Sequence, residues 1–288
     1  MSDNGNNPAM KVAAAGSHVR GSGPILILAI LFVVASFLAW YFTWFGRGLS
    51  DTEISSYLTD EQHPRHVQHA LVQIEQRMER GDPGVRKWYP QLVALSVNAE
   101  TEFRLTVAWL MGFDNQAKEF HEALLKLVHD PEPMVRRNAA LALVRFNDQT
   151  GRGELVSVLK PYVVQAPADG SVDSALHEGA QVARGALVAR ILQADGRVIE
   201  VRAPLPGMVE KLAKENGARL NKGDELLRLN SDEASVWEAL RGLSLIGEAE
   251  DLEAVEVYTA GSKSVSPRIK EQATLTAKAI QGRANRNQ

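Results

Sequence analysis

The chain has 288 residues, of which 45% are hydrophobic and 23% charged, with no cysteine and a formal net charge of -3. Those proportions exclude wholesale disorder and leave room for one to three domains. The missing cysteines exclude disulfide frameworks, cysteine-ligated metal and thiol nucleophiles, and the mildly acidic balance excludes a general nucleic-acid binder.

Residues 1–23 are rich in Gly, Asn, Ser and Ala and read as a disordered tail. Pro24 to Phe45 then runs for 22 residues without a charge and ends in Trp40, Tyr41 and Trp44. At about 1.5 Å per residue such a helix spans a bilayer of roughly 30 Å, with its aromatic end at the interface. A transmembrane helix over 24–45 is therefore expected, with the lipid bilayer as a partner. The alternative, a cleaved signal peptide, has a shorter apolar core of about 7–15 residues and a small-residue cleavage site. Lys11 and Arg20 precede the run, while Arg47 alone follows closely. This bias places the N-terminus inside and the body outside, in the periplasm of a bacterial inner membrane.

From residue 57 to 160 the apolar period becomes helical. Asp82-Pro83 opens a helix presenting Val85, Trp88, Tyr89 and Leu92, and Thr101 to Gly112 presents Phe103, Val107, Leu110 and Met111. Phe120, Ala123, Leu124, Leu127 and Val128 share a face until Asp130-Pro131-Glu132-Pro133 breaks the backbone ladder. Val135, Ala139, Ala142, Leu143 and Phe146 form the next stripe. Residues 232–282 are helical again, and Pro267 to Ile280 repeats the Pro133 to Phe146 pattern at one constant offset. A leucine-rich helix, an Asp-Pro turn, and Val-Arg followed by alanines resemble HEAT-type repeats, best over 121–148. The resemblance implies stacked helical pairs that bind proteins. An ordinary helical bundle is the simpler alternative.

Residues 162–230 differ in kind, with short alternating runs and many glycines. Ala166 to Ile191 recurs as Ala203 to Leu229, pairing Gly170 with Gly207, Val172 with Val209, Gly185 with Gly223, and Ile191 with Leu229. These two Ala-Pro-x-x-Gly halves resemble the biotinyl/lipoyl domain, a small all-β barrel-sandwich hybrid. In that family a lysine at the hairpin tip carries the cofactor; here the position falls on Gly196, between Asp195 and Arg197, in a turn expected to have two residues. No covalent cofactor is expected. An unloaded module of this type behind one membrane helix resembles the periplasmic adaptor, or membrane-fusion, family of export systems. Only Leu192 to Arg202 join the halves, where adaptors place a long helical hairpin.

The fold class is thus α+β: an N-terminal transmembrane helix, then HEAT-like helices interrupted by the β module, with a short tail at 283–288. No catalytic, cofactor-binding or metal-ligating residue is assigned. His63, His66 and His69 cluster at helical spacing, where a metal is one reading and a solvated face the plainer one. Gly247 to Glu256 reads as a wetted acidic surface, and Trp88, Trp109 and Trp237 as core. The expected role is a non-enzymatic, membrane-anchored scaffold that assembles other proteins, with no nucleic-acid partner; the alternative is an adaptor subunit of an export system.

Overall fold

A computed structural model describes residues 23–44, 47–260 and 265–286. The chain forms two compact units, Met1–Leu49 and Ser50–Gln288. In the first, helix α1 spans Gly23–Trp44, and its described side chains from Leu26 to Ala39, with Tyr41, are all exposed. Among the described residues no helix is long and apolar enough to cross a membrane, so the expected span is not found there. The N-terminal tail lies outside the described residues, apart from Gly23.

The second unit mixes helix and sheet. Its helices are α2 (Asp51–Tyr57), α3 (Pro64–Glu79), α4 (Tyr89–Leu95), α5 (Thr101–Met111), α6 (Lys118–Leu127), α7 (Pro133–Arg145) and α8 (Arg152–Val158), followed past the strands by α9 (Glu233–Ile246), α10 (Leu252–Thr259) and α11 (Pro267–Arg286). Local chemistry sets the starts. Ser50 and Glu53 close a reciprocal capping box on α2, and Asp232 accepts the Ser235 amide at the head of α9 (2.8 Å). Proline opens α3, α7 and α11, where its missing N–H costs nothing. The segment Pro83–Trp88, expected to be α-helix, is a tighter 3-10 turn fixed by Asp82 capping Gly84; Val85 and Trp88 are nevertheless buried, as are Tyr89 and Leu92.

These helices make two rows. Helices α3, α5, α7, α9 and α11 pack one on the next, and α4, α6, α8 and α10 each pack on the helix that follows in that series. Polar contacts fix the spacing. Asp130, in the Asp-Pro turn, accepts from Arg104 of α5 (2.7 and 3.1 Å), while Arg136 of α7 reaches the Asp130 carbonyl (2.9 Å) and Glu154 of α8 (3.0 Å). The β insertion does not break the row: α8 packs directly on α9 although the whole β segment lies between them in sequence.

That segment holds β1 (Tyr162–Gln165), β2 (Gly170–Asp173), β3 (Gln181–Val182), β4 (Leu187–Leu192), β5 (Val198–Arg202), β6 (Gly207–Leu212), β7 (Arg219–Leu220) and β8 (Glu225–Ser231). Among the described residues these form two four-stranded antiparallel sheets, ordered β1-β8-β6-β3 and β5-β4-β2-β7. Exchanging β1–β4 with β5–β8 converts one order into the other, so the doubled sequence is a doubled fold. The shared core takes matching residues from both halves: Val164 and Val201, Val172 and Val209, Val182 and Leu220, Ile191 and Leu229.

Candidate functional site

Among the described residues of the second unit, an open cleft and a histidine-bearing turn bring polar and aromatic groups together at the surface. The first is an open cleft of about 310 Å³ on the row formed by α5, α7 and α9. Trp109, Leu141, Arg145, Glu238, Arg241 and Leu245 line it. Trp109 was expected in the core, yet it is 40% exposed. Its indole N–H donates to Glu75 (3.0 Å) and the Arg145 guanidinium stands 5.7 Å from its ring, so the polar edge and the face are both served at the surface. Arg241 and Arg268 lie 4.6 and 4.2 Å from the Trp237 ring, which is half-buried rather than core. Arg145, Arg241 and Arg268 thus stand on the successive helices α7, α9 and α11, each stacked on an indole. Leu245, 64% exposed, adds apolar surface beside them. Such a face can take up a partner carrying carboxylates and apolar side chains; nothing in it pairs a nucleophile with a base.

The second place is the turn between α2 and α3. Asp60 stands 2.9 and 3.0 Å from Nδ1 of His63 and 2.7 Å from Nδ1 of His66. The hydrogen bonds from His66 and from His63 hold the Asp60 carboxyl below the usual carboxylate range. Tyr57 stacks on His66 with ring centroids 4.2 Å apart and planes 9° from parallel. His69, the third histidine of the sequence cluster, does not join: its Nε2 is buried without a hydrogen bond, 6.3 Å ring to ring from Tyr57. Asp60 is not marked by helical periodicity. Its signal was the Asp-x-x-His-x-x-His spacing, which is invisible as a helical pattern because Pro64 starts the helix after His63.

The tip of the β4–β5 hairpin carries no amine. Gln193 N–H donates to the Arg197 carbonyl (2.9 Å) and Gly196 N–H to the Gln193 carbonyl (3.0 Å), with Gly196 at φ +83. This is a three-residue loop ending in a left-handed glycine, in place of the expected two-residue turn. Asp195 clamps Arg197 through Nε (2.6 Å).

The acidic stretch expected as wetted surface is in fact partly internal. Arg152 of α8 binds Glu248 (3.1 Å), Glu250 (2.5 Å) and the buried Asp251 (3.2 Å), tying the turn before α10 to the other side of the β insertion. Arg283, expected in a tail, lies on α11 and donates to the Ser244 and Leu243 carbonyls (2.6 and 3.0 Å), closing the end of α9.

Residues 122–149, which include most of α6 and all of α7, match the HEAT repeat family. The match does not reach the β segment. No curated protein matches the chain in sequence. Among solved structures, a single-chain, multi-domain long-chain acyl-CoA carboxylase is similar at 17% identity and a TM-score of 0.24, covering 32% of this chain and 10% of that one. An engineered protein from the Northeast Structural Genomics Consortium is similar at 15% identity and a TM-score of 0.41, covering 80% of this chain and 79% of that one.

Proposed function

We propose that this protein is a non-enzymatic scaffold, anchored by α1 in a bacterial inner membrane, whose helical row binds other proteins. The observation that carries the reading is the uninterrupted row α5–α7–α9–α11, on which Trp109, Arg145, Arg241 and Arg268 are offered on consecutive helices. A face of this kind suits one extended acidic partner rather than a small substrate. Aromatic and arginine side chains are the types that carry most interface energy. The HEAT repeat in α6 and α7 supports the same reading.

Anchoring rests on the uncharged run from Pro24 to Phe45 and on α1 itself, where Leu26, Ile27, Leu28, Ile30 and Phe32 are all more than half exposed. A continuous apolar surface of that sort calls for a non-aqueous partner. With Lys11 and Arg20 kept inside, the second unit would lie in the periplasm. The β segment is read as a biotinyl/lipoyl-like module without a cofactor, supported by the exchangeable strand orders and by Gly196 at the hairpin tip. That module favours a second reading, an adaptor subunit of an export system.

Crosslinking in native membranes, followed by identification of neighbours, tests the scaffold. Recovery of a defined set of proteins from the parent chain, lost with Arg145→Glu and Arg241→Glu while the fold is retained, is the expected result. Unchanged recovery with both substitutions would remove the helical face from the account. Transport components among the neighbours would favour the adaptor.

A further inference from the structure

We propose that Asp60, His63 and His66 form a binding site for a single borderline divalent metal ion, zinc being the reference case, held by one carboxylate oxygen and two imidazole nitrogens. The inference does not depend on the scaffold reading.

The donor atoms already share one point in space. One ligand atom from each residue lies within 4.8 Å of the others. The closest approaches, 2.7 to 3.0 Å, are hydrogen-bond lengths between Nδ1 and the carboxylate. Zinc at about 2.0–2.2 Å from nitrogen and oxygen sets tetrahedral edges of about 3.4 Å, so each imidazole nitrogen needs to move only roughly half an ångström from the carboxylate it now bonds, and the third edge lies within the 4.8 Å that already holds all three donors. In the metal-free arrangement each ring places a proton between Nδ1 and Asp60. On binding, each neutral imidazole carries its proton on Nε2 instead and turns the Nδ1 lone pair to the metal; a protonated ring releases one proton. Nothing else in the chemistry changes, and the metal replaces the hydrogen-bonded protons as the bridge.

The backbone prearranges these ligands. His63 N–H donates to the Asp60 carbonyl (3.1 Å) and His66 N–H to the His63 carbonyl (2.8 Å), so two consecutive turns fix the three-residue steps. Pro64 locks the first turn of α3 between the two histidines. The Tyr57 ring, parallel to His66, removes that side chain's rotational freedom. Ordering entropy, which makes most surface histidines poor ligands, has therefore been met by the fold. Charge agrees: among the described residues the ion-pair partners of the Asp60 carboxylate are His63 and His66, not a lysine or arginine. Access is open, with the His63 side chain 63% exposed. Three protein ligands and an accessible fourth position for water or a partner's side chain match the donor number of open zinc sites.

The test is calorimetric titration of the full-length chain in detergent micelles with zinc chloride, beside Asp60→Asn, His63→Ala, His66→Ala and the exposed control His177→Ala. The expected result is one zinc per chain, weakened at least tenfold by each of the three substitutions and untouched by His177→Ala, with affinity falling on acidification as protons compete for the rings. X-ray absorption of the zinc-loaded chain should show two imidazoles in the first coordination sphere. Circular dichroism of each variant separates lost ligands from lost structure, and if His66→Ala unfolds, Asp60→Asn and His63→Ala decide alone. Zinc uptake that is absent, or that is equal in the parent and in a His63→Ala, His66→Ala double variant, overturns the proposal.

Discussion

The Leu192 carbonyl oxygen lies 2.5 Å from where a Cβ on Gly170 would stand, and in the other half of the β segment the Asn230 carbonyl lies 2.2 Å from the corresponding point on Gly207. Both are backbone atoms held in paired strands, β4 against β2 and β8 against β6, and cannot give way. Gly170→Ala or Gly207→Ala should therefore destabilise the β segment by about 1–3 kcal/mol, each to a similar extent. Gly153→Ala, in α8 with nothing within 4 Å, should be neutral or slightly stabilising. Denaturant midpoints of the three variants check this; a harmless Gly207→Ala would mean that the strands do not approach so closely.

The same exchange between halves continues in the hydrogen bonds and explains why this part of the fold was readable. Gly179 N–H donates to the Val209 carbonyl and Gly217 N–H to the Val172 carbonyl, each at 2.8 Å; Gly185 donates to Ala203 (2.7 Å) and Gly223 to Ala166 (2.8 Å). Each half supplies what the other lacks, so a glycine required in one is required in the other and the repeat surfaces in the sequence. Stripes such as Phe120, Ala123, Leu124 and Leu127 were legible for the same kind of reason: one face is buried at one period. Contacts that depend on chain crossings were not. Arg152 and Asp251 meet across the β insertion, and no local pattern marks an arginine that answers a carboxylate from another helix. Trp109 looked like core because it has apolar neighbours in sequence, although its indole is met by Arg145 and Glu75 from neighbouring helices. Asp60 belongs to a turn, where helical spacing does not apply, so no periodic pattern marks it.

Arg152 supports a second prediction. Its guanidinium is the positive charge facing Glu248, Glu250 and the buried Asp251. Removing it with Arg152→Ala leaves Asp251 short of a charged partner in a site with little water. The expected loss is about 1–3 kcal/mol. Asp251→Asn in the Arg152→Ala background should then cost less than it does in the parent chain, because the two act on one interaction; a double-mutant cycle measures this. Strict additivity would show that the pair does not couple.

Asp148 carries a pH dependence. Burial pushes its carboxyl up, but hydrogen bonds from the Thr150 hydroxyl and backbone N–H and from His121, whose Nε2 lies 2.7 Å away, outweigh this and leave it below the ordinary value. A carboxyl lowered in the folded state stabilises the fold above its unfolded pKa, near 4, and loses that contribution as pH falls through the folded value. Asp148→Asn should therefore be less stable than the parent at pH 7, and the gap should close on acidification below about pH 4. Denaturant unfolding of both chains at pH 7 and pH 3 gives the answer, and a constant gap would assign the difference to packing.

Arg137 on α7 reverses the usual expectation for a buried charge. Its side chain is 5% exposed, it meets Ser231 of β8 at 3.3 Å, and Glu154 stands 4.0 Å from Nε; Nε and Nη1 have no hydrogen-bond partner. Burial pulls its pKa down, with Glu154 and Asp232 acting the other way. The desolvation of a guanidinium is here set against one long hydrogen bond and one distant carboxylate, which fall short of the bidentate pairing that repays it. Arg137→Met keeps the apolar stem and removes the charge, so it should leave stability within about 1 kcal/mol of the parent or raise it. Arg137→Ala should cost more, because it also opens a cavity between α7 and the β segment. Chemical denaturation of the two variants distinguishes the effects: a loss above about 3 kcal/mol for Arg137→Met would show that the charge itself holds the β segment to the helical row.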